Sequence, residues 1–229
     1  MIVVNDAVKY YGHKSALNGI SLTIRPSCIT GLLGANSSGK STLLKAITGL
    51  IRLDRGEIQI DGYHPSPITN RSIAYLPELE TFYPWMSIAD AMHYLKDFYA
   101  DWNEKKAADL LQAFELQPGV RLRTLSKGEL AKAKLLLALS RRARYLLLDE
   151  PLSGIDLFSR QQILQGLLDD FMDEEQTIVI ATHEIEAVEP FLDDLLLVRE
   201  GKLAVQGNLE ELKEHRGQTL TEIVMEMHL

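Results

Sequence analysis

The chain is poor in features that mark whole classes of protein. Cys28 is the only cysteine among 229 residues, so no disulfide can form within the chain, which fits a reducing compartment. The 24 Lys and Arg residues are outnumbered by 32 Asp and Glu residues, and the formal charge of −8 disfavours a protein that binds nucleic acid. The first ten residues, MIVVNDAVKY, lack the basic start and long apolar core of a secretory signal.

Long apolar runs are missing too. The best candidates, residues 135–139 and 195–198, are far shorter than the roughly 18 apolar residues that cross a bilayer. We therefore expect that any work at a membrane is done by docking on another protein. Hydrophobic residues nevertheless make up 46% of the chain and charged residues 24%, a composition that predicts a folded domain rather than disorder.

Apolar patterning predicts an α/β protein, with short apolar runs as strands and apolar residues three or four apart as helices. The predicted strands are residues 2–4, 20–24, 29–33, 57–60, 73–76, 145–148, 177–181, 195–198 and 203–205. The predicted helices are residues 40–50, 87–99, 103–116, about 126–140, and a stretch that carries Ile163, Leu164, Leu167, Leu168 and Phe171. We predict one domain over residues 1–229, with an α/β core at about 1–86 and 141–229 and a helical subdomain at about 87–140.

Residues 34–41, GANSSGKS, match the phosphate-binding pattern G-x-x-x-x-G-K-[ST] between a predicted buried strand and a predicted helix. Glycines let backbone N–H groups form an anion-binding nest, and the helix N-terminus adds partial positive charge. We expect Lys40 to reach the β- and γ-phosphates of a nucleotide and Ser41 to bind Mg²⁺; the alternative is a glycine-rich turn with a surface lysine. The other residues expected around the phosphates are Gly34, Asn36, Ser37, Ser38, Gly39 and Thr42.

Asp149 and Glu150 follow the wholly apolar run 145–148. Acidic residues at the carboxyl end of a buried strand lie where ligands of open α/β sheets bind. We expect Asp149 to hold Mg²⁺ through its water shell and Glu150 to polarise the attacking water. Without the phosphate-binding pattern, an ordinary solvated strand end would explain the pair as well.

Residues 125–129, LSKGE, resemble the LSGGQ signature of ATP-binding cassette (ABC) nucleotide-binding domains, and the resemblance extends over nearly the whole chain. It implies a P-loop NTPase core, in which a mixed sheet with flanking helices joins an antiparallel β portion, with an inserted α-helical subdomain. Ser126 and Glu129 also form the capping-box pattern, which by itself predicts only a well-capped helix. In the family, Ser126 and Gly128 would serve ATP held by a second subunit, so the resemblance implies a head-to-tail dimer with two shared sites.

Other positions resemble the family in chain order. Tyr11 corresponds to the aromatic residue that stacks on adenine, although a packed tyrosine at a strand end is the alternative. Residues 153–156, SGID, resemble the D-loop, which crosses the dimer interface and here ends in Asp156. His183 resembles the switch histidine that contacts the γ-phosphate.

Three positions depart from the family pattern. Glu78 stands where the family usually has the glutamine of the Q-loop; its carboxylate could bind Mg²⁺ but cannot donate a hydrogen bond to water. Lys127 and Glu129 replace a glycine and a glutamine of the signature, and Ser37 replaces a glycine of the phosphate loop. Since Lys40 and Glu150 are intact, we expect a competent ATPase.

The resemblance implies the ATPase subunit of a transporter, with ATP and Mg²⁺ as cofactors, in a homodimer or a heterodimer with a second cassette. The partner would be an integral membrane permease, so the chain would be cytoplasmic and peripheral on the inner face of the cell membrane. The short chain, the LSKGE signature and residues 98–106 resemble bacterial exporter-type cassettes, a resemblance that favours export. Residues 82–86, FYPWM, are the expected docking surface or an anchor of the helical insertion. The alternatives are a soluble cassette ATPase that serves an assembly scaffold and a P-loop kinase.

Overall fold

The computed structural model describes residues 1–78, 82–83, 85–156, 160, 163 and 176–226. The strands form two sheets, one of three antiparallel strands in the order β2-β1-β4 and one of six strands in the order β5-β6-β7-β3-β8-β9. The strands are β1 (Ile2–Tyr11), β2 (Lys14–Ile24), β3 (Ile29–Leu33), β4 (Arg55–Ile60), β5 (Ile73–Leu76), β6 (Tyr145–Asp149), β7 (Thr177–Thr182), β8 (Asp194–Arg199) and β9 (Lys202–Asn208).

Seven α-helices lie in the described ranges. They are α1 (Lys40–Ile47), α2 (Ile88–Phe98), α3 (Glu104–Ala113), α4 (Lys127–Leu139), α5 (Ile185–Val188), α6 (Leu209–Arg216) and α7 (Leu220–Glu226), and short 3₁₀ helices cover Thr69–Ser72, Leu122–Thr124 and Glu189–Phe191. Within the residues that the structure describes, every helix is too short or too polar to cross a bilayer.

The larger sheet is parallel apart from its last strand. Strands β5, β6, β7, β3 and β8 run in one direction, and only β9 pairs antiparallel with its neighbour β8. Strands β6 and β7 are buried along their whole length, which explains their unbroken apolar sequence. The carboxyl ends of β3, β6 and β7 therefore meet at one edge of the sheet.

The antiparallel strands are longer than the sequence predicts. The predicted strand 2–4 extends to Tyr11 because Asp6, with φ of +47°, forms a bulge where the β1–β2 register shifts between Val4 and Ala7. An extra residue of this kind breaks the two-residue alternation on which the prediction rests. The Asp61-Gly62 turn forms as expected for a hairpin, but only an isolated bridge between Ile60 and Tyr63 follows it.

The three helices expected between residues 87 and 140 are present as α2, α3 and α4, with no strand in that range, all of which the structure describes. Helix α3 ends at Ala113 and not at the predicted residue 116, because Glu115 has a left-handed φ of +56°. The Leu116 N–H then bonds to the Leu111 carbonyl, which closes the helix end. The proposed boundaries of the helical subdomain stay a prediction.

The buried guanidinium of Arg141, just after α4, joins the helical region to the sheet. It pairs with both carboxylate oxygens of Asp101, at 3.0 and 2.9 Å, and stacks 3.6 Å from the ring centroid of Tyr99. It also donates to the carbonyls of Ile73 and Arg71, at 2.6 and 2.8 Å. Every donor group of this side chain therefore has a partner.

The hydrophobic core lies on both faces of the six-stranded sheet. One cluster joins alternate residues of β6 and β7 to the helical region, and the other joins the opposite face to α1 and the antiparallel sheet. The predicted helix around residues 163–171 lies outside the described residues, except Ile163, which is buried in the first cluster.

Candidate functional site

The loop from Gly34 to Gly39 leads from β3 into α1 at the carboxyl edge of the sheet. A Cβ on Gly34 would lie 2.2 Å from the Val198 carbonyl oxygen, and one on Gly39 would lie 2.5 Å from that of Ala16. Both residues also have φ in the left-handed half of the map, at +151° and +116°. Only glycine therefore fits the two positions that the phosphate-binding pattern specifies.

Lys40 fixes the shape of this loop from inside. Its side chain is only 5% exposed, and its Nζ donates to the carbonyls of Gly34 and Ala35, at 2.7 and 3.2 Å. Burial lowers the pKa of Lys40, while the carboxylate of Glu150, 3.7 Å from the Nζ, opposes that shift. The alternative of a surface lysine is wrong.

The remaining loop residues surround this lysine. Ser38 is buried, and its Oγ has no hydrogen-bond partner within the described ranges, so this hydroxyl is available to a ligand. Asn36 and Ser37 are exposed at the turn, where Ser37 has φ of +64°. Thr42 lies in the first turn of α1 and is half-buried. The glycines, the buried lysine and the unpaired hydroxyl fit a bound polyphosphate.

Ser41 and Asp149 come together across 108 residues of sequence. The Ser41 Oγ donates to Oδ1 of Asp149 at 2.9 Å, and the Tyr75 hydroxyl lies 3.4 Å from Oδ2. Burial raises the pKa of Asp149, which is 1% exposed, and the charges of Glu78 and Glu150 raise it further. A carboxylate beside a hydroxyl is a donor set that suits Mg²⁺.

A preformed metal cage is absent from the part of the chain that the structure describes, where no three His, Cys, Asp or Glu side chains are placed to hold an ion. Mg²⁺ in nucleotide enzymes needs no such cage, because one or two protein groups and the substrate phosphates supply its ligands together. Ser41 and Asp149 fit that mode of binding.

Both carboxylate oxygens of Glu150 are held. Thr182, the last residue of β7, donates its Oγ1 to Oε2 at 3.0 Å, and the His183 Nδ1 lies 2.9 Å from Oε1. Glu150 itself has a left-handed φ of +48°, and its backbone N–H bonds to the Ala181 carbonyl at 2.8 Å. The side chain is therefore fixed in direction beside Lys40.

Glu78 lines a cleft of about 270 Å³ together with Asp149, Glu150 and the first turns of α4. Its backbone carbonyl accepts a hydrogen bond of 2.7 Å from the Lys134 Nζ of α4. The structure thus brings Glu78 to the acidic side of the site.

The signature residues lie at the exposed start of α4. The Ser126 hydroxyl and its backbone N–H both donate to one carboxylate oxygen of Glu129, at 2.6 and 2.8 Å, and form the expected capping box. A Cβ on Gly128 would lie 3.4 Å from the Gly154 carbonyl oxygen, so this end of α4 faces the D-loop residues of the same chain. Asp156, the last D-loop residue, is exposed.

Tyr11 lies at the end of β1 with 49% of its surface exposed, so the alternative of a packed tyrosine is wrong. Its ring is 5.9 Å from the Lys9 ammonium.

The aromatic segment at residues 82–86 has a buried and an exposed part. Phe82 and Met86 pack against the core, whereas Tyr83 and Trp85 are each 61% exposed and stacked with ring centroids 5.7 Å apart. Pro84 lies outside the described residues.

Two residues in contact with the site were missed in the sequence. Thr182 precedes His183, and only the register of β6 against β7, which pairs Asp149 with Ala181, places it beside Glu150. Tyr75 lies in the predicted strand 73–76, whose sequence gives no sign of a role at the site; burial raises the pKa of Tyr75, so its hydroxyl keeps its proton beside Asp149.

Comparisons with known proteins agree on one family. A family model described as ABC transporter matches residues 17–153. The ABC transporter ATP-binding protein YtrB of Bacillus subtilis (strain 168) is 31% identical to this chain, with 93% of the chain and 74% of YtrB covered. The lipopolysaccharide export system ATP-binding protein LptB of Haemophilus influenzae is 27% identical, with 93% and 92% covered.

Solved structures agree on the fold. The structure of an ATP-binding subunit of an ABC transporter superposes with a TM-score of 0.88 at 23% identity and covers both chains completely. A dimeric bacterial ABC transporter cassette superposes with a TM-score of 0.81 at 22% identity and covers 91% of this chain and 99% of its own. The expected P-loop NTPase fold is confirmed, and the chain belongs to the ABC transporter family as one of its ATP-binding, ATP-hydrolysing cassettes.

Proposed function

We propose that this cassette hydrolyses ATP in a dimer and drives transport through a separate membrane subunit, with export favoured over import. The observation that carries the proposal is the fixed carboxylate of Glu150, held by Thr182 and His183 and 3.7 Å from the buried Lys40 ammonium. This arrangement suits a base that orients a water molecule next to a phosphate anchored by lysine.

The residues divide the chemistry between them. Lys40 and the backbone of the phosphate loop bind the β- and γ-phosphates, and Tyr11 offers an exposed ring for the adenine. Glu150 accepts a proton from the attacking water, while His183 and Thr182 hold its two oxygens in place. Ser41 and Asp149, with Glu78 on the same cleft, would hold Mg²⁺, which supplies charge neutralisation for the phosphates.

The position of the signature residues supports the proposed dimer. Ser126 and Gly128 are at an exposed helix start, and their recorded contacts are with their own helix and with the D-loop, as far as the described residues go. Donors at such an end suit an anion brought by another molecule. A cassette of the same fold is described as dimeric, which supports a second copy or a second cassette as that molecule.

The membrane subunit would dock beside the stacked pair Tyr83 and Trp85. Exposed aromatic residues of this kind are enriched in interface cores. A groove of about 230 Å³ opens nearby between the sheet and the helical region, lined by Phe82, Leu95 and Tyr99. The chain would then be cytoplasmic and peripheral on the inner face of the membrane. Export is supported by the likeness to LptB, the ATP-binding protein of an export system.

The hydrolysis proposal is tested with Glu150→Gln. Removal of a positioned general base lowers the rate by about 10² to 10⁴. The variant should bind ATP with wild-type affinity, hydrolyse it slowly, and accumulate as a dimer on size-exclusion chromatography with ATP. Arg25→Ala, a change at an ion pair near the opposite edge of the sheet, is the control and should hydrolyse normally. A monomeric Glu150→Gln protein with normal hydrolysis would contradict both the base and the dimer.

The partner proposal is tested by photo-crosslinking in membranes, with a photoreactive residue at Trp85 and, as the matched control, at Tyr63. Tyr63 is another exposed aromatic residue, at 72% against 61% for Trp85, and it follows β4. We expect Trp85 alone to capture a protein with several membrane-spanning helices. Capture of a soluble assembly protein at Trp85 would favour the alternative function, a cassette that serves a scaffold.

A further inference from the structure

Arg160 lies where the D-loop residues meet the segment that follows β7. Its Nε donates to the carbonyl of Ile155 at 2.7 Å, and its backbone N–H bonds to the carbonyl of Asp156 at 3.0 Å. Its Nη1 forms an ion pair with Oε2 of Glu184. One side chain therefore connects the D-loop backbone to the residue after His183.

Glu184 continues this connection to the carboxylate of Glu150. The Glu184 backbone N–H donates to the Thr182 Oγ1 at 3.1 Å, and the same Oγ1 donates to Oε2 of Glu150 at 3.0 Å. Because Thr182 has one hydroxyl proton, the bond from the Glu184 N–H directs that proton towards Glu150. The position of the Glu184 backbone N–H thus determines which way the Thr182 hydroxyl points.

We propose that Arg160 and Glu184 form a positioning pair for ATP hydrolysis, which fixes Thr182 and His183 against Glu150 and ties that arrangement to the D-loop. This inference rests on the proposed role of Glu150 as the base. Neither residue contacts the reacting atoms; each acts through its neighbours. Removal of the pair should leave nucleotide binding through Lys40 intact and lower the rate of the chemical step.

The pair differs from an ordinary ion pair in both burial and connection. The Arg160 and Glu184 side chains are only 22% and 21% exposed, so water screens them less than a surface pair. The pair Arg25–Asp194 also has good geometry, with Nε–Oδ2 at 2.7 Å, but it stands where β8 begins, away from the carboxyl edge of the sheet. It provides a matched control for loss of an ion pair alone.

The test is a double-mutant cycle of Arg160→Ala, Glu184→Ala and the double variant, with kcat, KM for ATP and melting temperature measured for each. A small misplacement of a catalytic group is costly, and we expect each single variant to lose about 10-fold in kcat with KM within about 2-fold. The double variant should lose about 10-fold as well, because one interaction is removed only once. Glu184→Gln, which keeps the size and polarity of the side chain, should lose less than Glu184→Ala.

Arg25→Ala removes an ion pair away from the site and should leave kcat unchanged, and the melting temperatures show how much stability each change costs. Wild-type kcat in Glu184→Ala, or a double variant that loses about 100-fold as a simple product, would overturn the positioning pair. Glu150→Gln is measured in parallel: if that variant hydrolyses normally, the base assignment fails, whereas normal Glu184→Ala beside an inactive Glu150→Gln defeats the further inference alone.

Discussion

The N-termini of α1 and α4, which the sequence predicts to bind phosphate, differ in how they are capped. Helix α1 begins at Lys40 after the N-cap residue Gly39, with no side-chain cap among the described residues and no acidic residue in its first turn. Helix α4 begins with a full capping box, in which Glu129 occupies the N–H and hydroxyl of Ser126. The first end is open to an anion, and the second already holds one.

The surroundings of the two ends differ in the same sense. Around α1, Ser41 bonds to Asp149 across 108 residues and Lys40 is buried, so residues far apart in one chain build this end. At α4 the bonds span only three residues, and the bonds from Ser126 keep the pKa of Glu129 below its ordinary value. A phosphate that binds Ser126, as we propose, would therefore compete with a carboxylate of the same chain.

The largest expected effect is at the open end. Lys40→Ala removes the buried ammonium that we expect to bind the phosphates, and ATP affinity and hydrolysis should fall by at least about 10³-fold. Isothermal titration with ATP and a phosphate-release assay measure the two effects. Wild-type turnover in this variant would contradict the phosphate site.

Asp149→Asn tests whether Asp149 helps to hold Mg²⁺ near the start of α1. We expect ATP to bind about 10²-fold more weakly in the presence of Mg²⁺ and to be little changed with EDTA, because the lost charge serves the ion. The control is Asp194→Asn, which removes a buried carboxylate at the start of β8. Equal loss of affinity with and without Mg²⁺ would argue that Asp149 contacts the nucleotide directly.

Asp149→Asn should also change the pH dependence of stability. Burial raises the folded-state pKa of this carboxyl, so the native state holds its proton more tightly than the unfolded state. Its stabilising contribution is present below the ordinary pKa of about 3.9 and is lost as pH rises through the raised value. The variant without nucleotide should therefore be more stable than wild type at pH 7, and urea denaturation should show the difference shrink towards pH 4.

Ser126→Arg tests the start of α4, where Glu129 already occupies the donors of Ser126. A bulky side chain there should prevent the approach of the partner's nucleotide, and we expect hydrolysis to fall about 10²-fold while ATP binding to the monomer stays within about 2-fold. In a mixed dimer of one Ser126→Arg subunit and one Lys40→Ala subunit, both substitutions fall in the same shared site, and the second shared site keeps all its residues. Loss of ATP affinity in the isolated Ser126→Arg monomer would mean that the signature acts within its own chain.

The smallest expected effect separates the role of Ser126 as a helix cap from its proposed role as a phosphate ligand. Ser126→Ala and Ser87→Ala each remove the serine of a capping box, since Ser87 caps α2 through Asp90 in the same way. Each should cost about 1 kcal/mol of unfolding free energy, measured by denaturant titration. Only Ser126→Ala should also slow hydrolysis; equal activity of the two variants would reduce Ser126 to a structural cap.

The sequence was informative where local chemistry determines structure. The glycines at 34 and 39, the acidic pair at the carboxyl end of β6 and the capping box at Ser126 follow from residue type and spacing, and each lies where the sequence predicts it. Thr182 could not be assigned to Glu150 in this way, because their contact depends on the register of β6 against β7. The Arg160–Glu184 pair likewise depends on how two loops approach each other, which no periodicity records.

Arg141 has a consequence for how the chain folds. Its bonds reach across 40, 68 and 70 residues of sequence. Its charge is neutralised by Asp101 of the α2–α3 connection, and its other donors are satisfied only when the carbonyls at the start of the edge strand β5 are also in place. Partial opening of the helices would leave that guanidinium in apolar surroundings without partners, at a cost of several kcal/mol. The helical region and the sheet edge should therefore lose structure as one cooperative unit, with amide protons at the end of α4 exchanging with solvent only when β5 opens as well.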